Sequence, residues 1–227
     1  MTTRPKLYIG NKNYSSWSMR PWLALTWAGL DIEEVVIALG GPGYGKSTSP
    51  EIIAVSPSGK VPALEWQGTT IWDSLAICEW VAEQRPASQL WPGEPLVRAV
   101  ARAAACEMHS GFAALRRDLS MNIRRRATVA KPWPEDTQGD IARVQELWAD
   151  LRARFGADGP YLFGRRGIVD AMFAPVATRF RTYGVALNAV AQAYCATIFA
   201  DAAFQAWERA ANAEAWTIPV TDNLYME

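Results

Sequence analysis

The sequence predicts a small mixed α/β domain followed by a larger all-helical one, a fold class of α/β plus all-α. Three observations carry the expectation. Short β-prone runs alternate with apolar helical stretches up to residue 84. Residues 85–97 then hold Pro86, Pro92, Gly93 and Pro95, which is linker composition. Beyond them, apolar residues recur at three- or four-residue steps, the period of a helix with one buried face. The expected units are therefore residues 1–84, a linker over 85–97, and a helical domain over 98–227.

The first strand is expected over Lys6–Ile9, short, apolar and β-prone, followed by polar punctuation from Gly10 to Ser18. A helix is expected over Met19–Ala28, where Trp22, Leu23, Leu25, Trp27 and Ala28 suit burial. Pro21 is compatible with the first turn of that helix, where an N–H has no intrahelical partner. Gly29 is a natural stop. Glu34–Leu39 reads as a strand, Gly40–Gly45 as a loop and Pro50–Ala54 as a short helix. Lys60–Trp66 reads as an apolar strand, Gly68-Thr69 as a hairpin turn into Thr70–Trp72, and Leu75–Glu83 as a helix. The order β-α-β-α-β-β-α, with two adjacent strands joined by a tight turn, matches a thioredoxin-like arrangement.

In the second half, Val100, Ala104, Met108, Phe112, Leu115 and Leu119 share one helical face. Thr128–Gly139 is expected to be a loop. Ile141, Val144, Leu147, Trp148, Leu151 and Phe155 define a further amphipathic helix, and Val169–Gly184, Ala186–Ala200 and Ala202–Ala213 complete the set.

Composition narrows the function. Lys+Arg and Asp+Glu are 23 each, with 20% charged and 50% apolar residues. That excludes a disordered chain and supplies no electrostatic footprint for nucleic acid. Cys78, Cys106 and Cys195 are far apart and form no CxxC pair, against a disulfide framework or zinc site. The single histidine rules out a multi-histidine metal centre. MTTRPKLYIGNKN lacks a signal-peptide apolar core, and no apolar run of about 18 residues exists, so a cytoplasmic protein with no membrane partner is expected.

Three segments could carry chemistry. Tyr14-Ser15-Ser16-Trp17-Ser18-Met19-Arg20 lies between the first strand and helix. Hydroxyls there meet unpaired N–H groups and the positive end of a helix dipole, a place to stabilise an anion or, equally, to cap the helix. In Ser56-Pro57-Ser58-Gly59-Lys60-Val61-Pro62-Ala63-Leu64, a proline opens a buried strand although it cannot donate to the ladder. A cis Val61–Pro62 bond would turn the Val61 backbone groups toward an extended peptide; a trans edge proline is the plainer alternative. Asp73-Ser74 directly precedes a helix and could hold a carboxylate or simply cap.

With these motifs in this order, the chain resembles the cytosolic glutathione transferases over nearly its full length. The SSWSMR segment is most similar to the serine-type classes, zeta and tau, as in a bacterial-type member. SPSGKVPAL and DSLAICEWV match the family's glutathione-binding pattern. Gly167-Ile168-Val169-Asp170, followed by Pro175, occupies the place of the family's S/T-x-x-D capping box. Gly167 replaces the hydroxyl residue, which predicts a weaker helix start.

The resemblance implies that Ser15 is the hydroxyl that hydrogen-bonds the glutathione sulfur, with Ser16 and Ser18 as second choices. A free thiol of pKa about 8.5 is only about 3% thiolate at pH 7, and lowering that pKa by about two units takes about 2.7 kcal/mol of anion stabilisation. A charge-assisted hydroxyl bond and a helix N-terminus together can supply it. By the same resemblance Val61 pairs through its backbone with the cysteinyl part, Asp73 and Ser74 hold the γ-glutamyl end, and Lys60 meets the glycine carboxylate. Glutathione is then the cosubstrate, with no metal, and the other partner is a small hydrophobic electrophile. Trp17, His109 and Arg116 are candidates for the acceptor pocket, with Trp133 a further border residue, although a helical histidine and a solvated arginine are the ordinary readings of two of them. Arg124-Arg125-Arg126 suits a helix end or solvated surface. The implied activity is glutathione transfer to an alkyl or aryl electrophile. The alternatives are glutathione-dependent isomerisation or peroxide reduction, or a non-catalytic binding protein. Trp17 stands where the zeta motif has cysteine, which weighs against the isomerase. A homodimer is implied, with Trp72, Cys78, Trp80, Met108 and Phe112 offering surplus apolar surface.

Overall fold

The computed structural model describes residues 4–41, 49–127 and 132–223. Parts of two expected loops, 42–45 and 128–131, lie outside the described residues. The N-terminal half is a four-stranded mixed sheet in the order β2-β1-β3-β4, formed by β1 (Lys6–Gly10), β2 (Glu33–Ile37), β3 (Ala63–Trp66) and β4 (Thr69–Trp72). β1 runs parallel to β2 and antiparallel to β3, and β3 pairs antiparallel with β4. With α1 (Ser16–Trp27), α2 (Pro50–Ile53) and α3 (Ser74–Gln84), this is the thioredoxin-like arrangement. The hairpin turns one residue earlier than expected, at Gln67 and Gly68, both with positive φ, which matches the strand twist.

α1 begins three residues before the expected Met19, because Ser15 caps it by accepting a bond from the Ser18 N–H. Pro21 is therefore in the second turn, where its missing N–H leaves the Trp17 carbonyl without its usual helical donor. The helix stops as the sequence predicts: Gly29, at φ +65°, donates to Thr26 O while Leu30 donates to Leu25 O.

The C-terminal half is helical: α4 (Pro95–Ser110), α5 (Ala113–Asp118), α6 (Glu135–Phe155), α7 (Ile168–Thr182), α8 (Ala189–Ala200), α9 (Ala202–Ala213) and the short α10 (Pro219–Asp222). The apolar face expected to run unbroken from Val100 to Leu119 is interrupted at Gly111-Phe112. Phe112 adopts φ +58°, and a Cβ on Gly111 would sit 2.7 Å from the Glu107 carbonyl oxygen. α6 starts at Glu135, inside the expected loop, with Glu135 and Asp136 in its first turn complementing the dipole. Its Trp148 is fully buried against Phe173, Phe180 and Tyr194. One continuous apolar core runs through both halves.

α7 explains the glycine in the expected capping box. The Asp170 carboxylate accepts from Gly167 N (2.8 Å), Leu162 N (3.1 Å) and Tyr194 OH (3.0 Å), so the acidic half of the box is intact. A Cβ at Gly167 would stand 2.6 Å from the Leu90 carbonyl oxygen, which accepts from Ile168 N. The linker passes too close for a hydroxyl-bearing side chain.

Candidate functional site

The loop after β1 is folded on itself by bonds from Tyr14 N and Ser15 N to Asn11 O. It delivers Ser15 to the N-cap of α1, at the wall of a cleft of about 1180 Å³. The Ser15 and Ser18 hydroxyl oxygens are 2.7 Å apart, and Gly10 N donates to Ser18 Oγ at 3.1 Å. Ser18 is wholly buried, whereas Ser15 and Ser16 line the cleft. Ser16 Oγ accepts from Arg179 at 3.0 Å, so its lone pair is committed across the two halves of the chain.

Lys60, Val61, Asp73 and Ser74 line the same cleft as Ser15. The Val61–Pro62 bond is cis. Asp73 has φ +83°, a conformation uncommon for a non-glycine residue. One carboxylate oxygen caps α3 through Leu75 N (2.8 Å) and Ala76 N (3.2 Å), and the other meets His109 Nε2 at 3.1 Å. Ser74 Oγ is buried with no hydrogen-bond partner among the described residues. Ser74 stands in the first turn of α3 among the residues that line the cleft.

Trp17 lines the cleft and organises the cations behind it. Its ring lies 4.3 Å from the Arg20 guanidinium and 4.8 Å from that of Arg116, and His109 meets its edge at 5.3 Å. Arg116 bridges the break after α4 by donating to the carbonyls of Met108, His109 and Gly111, and its Nη1 has no partner among the described residues. Arg20 is 1% exposed, with Nε and Nη1 unpartnered among the described residues. Arg179 donates to the Leu119 carbonyl and to Ser16. Burial, and then the neighbouring Arg116 and Arg179, hold Arg20 well below the usual guanidinium range. Burial and then Arg116 push Arg179 down to about 10. Among the described residues, none of the three is ion-paired at salt-bridge distance.

The structure thus brings Ser15, Trp17, Lys60, Val61, Asp73 and Ser74 to one cleft, with His109 and Arg116 directly behind Asp73 and Trp17. Trp133 does not reach the cleft; it packs on Tyr183 at 5.9 Å. Sequence reasoning passed over Arg179 and Trp216, and it gave Tyr14 and Arg20 no role beyond membership of the first segment. For Arg20 a signal was present, a cation within the largely apolar first helix; Arg179 is one of two arginines in the last turn of α7, where a cation suits the helix end.

A mixed sheet of this topology joined to a helical half, with Ser15, Val61 and Asp73 facing one cleft, defines a fold of two parts, thioredoxin-like and then helical. Residues 14–84 match the model of the glutathione S-transferase N-terminal domain. A maleylacetoacetate isomerase of Pseudomonas aeruginosa is 30% identical over 190 residues, 81% of this chain and 85% of that one. The chain belongs to the glutathione S-transferase family. A rat maleylacetoacetate isomerase is 40% identical over 99 residues, and this match spans 44% of the relative's length. Among solved structures, a maleylpyruvate isomerase described as a bacterial zeta-class enzyme superposes with TM-score 0.70 at 23% identity, covering 93% of this chain and 100% of that one. A Burkholderia glutathione transferase homologue with bound glutathione superposes equally well, at the same identity and coverage. These two likenesses concern the fold.

Proposed function

We propose that the protein activates the thiol of glutathione as its thiolate at Ser15 and uses it to isomerise a small carboxylated substrate about an electron-poor double bond. The observation that carries the reading is the group of three guanidinium ions, Arg20, Arg116 and Arg179, gathered around Trp17 and Ser16 without ion-pair partners among the described residues. Buried cations without counter-charges are costly, and an incoming carboxylate offsets that cost. Relatives named for maleyl substrates support the same class, since a maleyl group carries a carboxylate on a cis double bond. They favour the isomerase over simple transfer despite the tryptophan at position 17.

The chain's residues divide the work. Ser74, Asp73, the Val61 backbone and Lys60 hold the peptide-like body of glutathione, and the Ser15 hydroxyl donates to its sulfur. The thiolate adds to one alkene carbon; the C–S bond forms and the π pair moves onto the conjugated carbonyl oxygen. Rotation about the resulting single bond follows. The pair then returns, the C–S bond breaks and the thiolate leaves unchanged, so no proton is consumed. From behind Trp17 and Ser16, the positive field of the arginines favours the substrate carboxylate and the transient negative charge.

A second reading, conjugation of a neutral aromatic electrophile, is favoured by the indoles of Trp17, Trp72 and Trp216 in the cleft. We assign the functional unit as a homodimer, with exposed Trp72 and Leu96 on the contact face. Cys78, Met108 and Phe112 do not serve it, because all three are buried in the core. The deciding experiment incubates the protein with cis-4-oxopent-2-enoate and substoichiometric glutathione and follows the alkene by NMR. Conversion to the trans isomer with glutathione recovered supports the isomerase. A stable adduct, or turnover only of 1-chloro-2,4-dinitrobenzene, overturns it in favour of transfer.

A further inference from the structure

The end of the described chain is bonded to the loop that carries Ser15. The Glu214 carboxylate accepts from Lys12 N at 2.6 Å and from Asn13 N at 3.0 Å, one amide on each oxygen. The Tyr14 hydroxyl, on the residue before Ser15, donates to Asp222 at 2.8 Å and accepts from Ile218 N at 3.2 Å. Arg124 donates to the carbonyls of Glu214 and Trp216 and to the Tyr14 hydroxyl, and Arg125 donates to Thr221 O at 3.2 Å. Two members of the Arg124–Arg126 run are therefore anchors for this segment rather than solvated surface. Asn122 completes the tie, bonding Asn13 on one side and Asp222 on the other. The segment passes so near the loop after β2 that a Cβ on Gly40 would lie 3.1 Å from Ile218 Cγ1. Within it, the Trp216 indole is 43% exposed and lines the cleft beside Tyr14 and Ser15.

We propose that Glu214–Asp222 is a strap that holds the Ser15 loop in register and places Trp216 as a specificity-determining wall of the acceptor half of the cleft. The proposal rests on the reading of Ser15 given above. A carboxylate on two adjacent backbone N–H groups is a charge-assisted, bidentate clamp, and it fixes the amide row whose last member carries the catalytic hydroxyl. Among the described residues, the hydrogen bonds from the strap to the rest of the chain go to residues 12–14 and 122–125, and none reaches Lys60, Val61, Asp73 or Ser74. Trp216 reaches the cleft on a segment tied to the Tyr14–Ser15 side and not to the glutathione contacts. An indole face there stacks on a planar conjugated acceptor while its size limits what can approach the sulfur.

The test uses the full chain with two substitutions. Trp216→Ala should raise KM for cis-4-oxopent-2-enoate by about fivefold or more while glutathione Kd, read by calorimetry, stays within about twofold, and Trp216→Phe should restore most of the loss. An unchanged acceptor KM in Trp216→Ala, or an equal loss of glutathione affinity, overturns the wall. Glu214→Gln should speed hydrogen exchange at the Lys12 and Asn13 amides by about tenfold or more, with kcat reduced and glutathione Kd little changed. Unaltered exchange at those two amides overturns the clamp. Exchange is read without any ligand, so failure of the wild-type protein to bind glutathione would strike the Ser15 reading while the exchange result still decides the strap.

Discussion

The Ser15 and Ser18 hydroxyl oxygens stand 2.7 Å apart at the entry to α1, and Gly10 N closes on the Ser18 oxygen from the other side. A hydroxyl has one proton and two lone pairs. When Ser15 turns its proton to a thiolate, Ser18 can supply the proton for the bond they share, and the chain of donors strengthens the Ser15 contact. Ser15→Ala is expected to lower turnover by about two to three orders of magnitude and to raise the pKa of the bound thiol. Ser18→Ala should raise that pKa by less, under about one unit or 1.4 kcal/mol. Ultraviolet thiolate absorbance against pH measures both. An identical titration curve in wild type and Ser15→Ala would remove the assignment.

Ser74 is the second point of test. Its buried hydroxyl has no partner among the described residues and is available to a ligand oxygen, so Ser74→Ala should leave the fold intact and weaken glutathione binding. A hydrogen bond to a charged group contributes about 1.5–3 kcal/mol, or roughly 10- to 150-fold in Kd. Calorimetric titration reads it directly, and an unchanged Kd would place the γ-glutamyl end elsewhere.

Arg179 separates the two candidate substrate classes. Arg179→Met should raise KM for the carboxylated acceptor about tenfold or more, since a buried positive charge behind Ser16 is lost. KM for 1-chloro-2,4-dinitrobenzene, which has no carboxylate, should move little. Equal effects on both would show that Arg179 acts through Ser16 and the packing of α1 on α7 rather than on the acceptor.

The start of α7 yields a prediction against the sequence pattern. Gly167→Ser restores the family's capping residue, yet its Cβ would press on the Leu90 carbonyl, so it should destabilise the protein by about 1–3 kcal/mol in denaturant unfolding. A gain in stability would refute the clash. Burial raises Asp170 from 3.8 to about 7, against the pull of its three hydrogen bonds. Between those two pH values the folded state holds a proton that the unfolded state has released. Its contribution to stability is therefore full at low pH and falls as pH rises toward about 7, by up to about 1.4 kcal/mol per unit. The stability difference between wild type and Asp170→Asn should shrink over that window and level off above it.

Assembly is checked by sedimentation. A homodimer should run at twice the 25.1 kDa chain mass at micromolar concentration. Trp72→Glu combined with Leu96→Glu should shift it toward the monomer, because both side chains are exposed in the single chain, at 48% and 77%. A wild-type monomer with full turnover would end the dimer assignment and leave the active site untouched.

Local rules were enough for much of this protein. Alternation, the Gly29 stop, the hairpin and the three-four periodicity are written in residues close together in the chain, and they specify a thioredoxin-like sheet followed by helices. Ser15, Val61, Asp73 and Ser74 stand out only through resemblance to the family, because the local pattern at each strand or helix end serves capping equally well; the structure brings the four to one cleft. What lay beyond the sequence depends on contacts between residues far apart. That residue 111 must lack a side chain follows from the Glu107 carbonyl standing where a Cβ would go, and the same requirement at Gly167 follows from Leu90 crossing it. Arg20, Arg116 and Arg179 come from three helices, and nothing in any one of them says that their charges converge. Glu214 lies 202 residues from Lys12, and only packing of the helical half on the sheet brings its carboxylate to that amide. Periodicity decides which face of an element is buried; tertiary packing decides which buried and half-buried polar groups meet, and that meeting is the site.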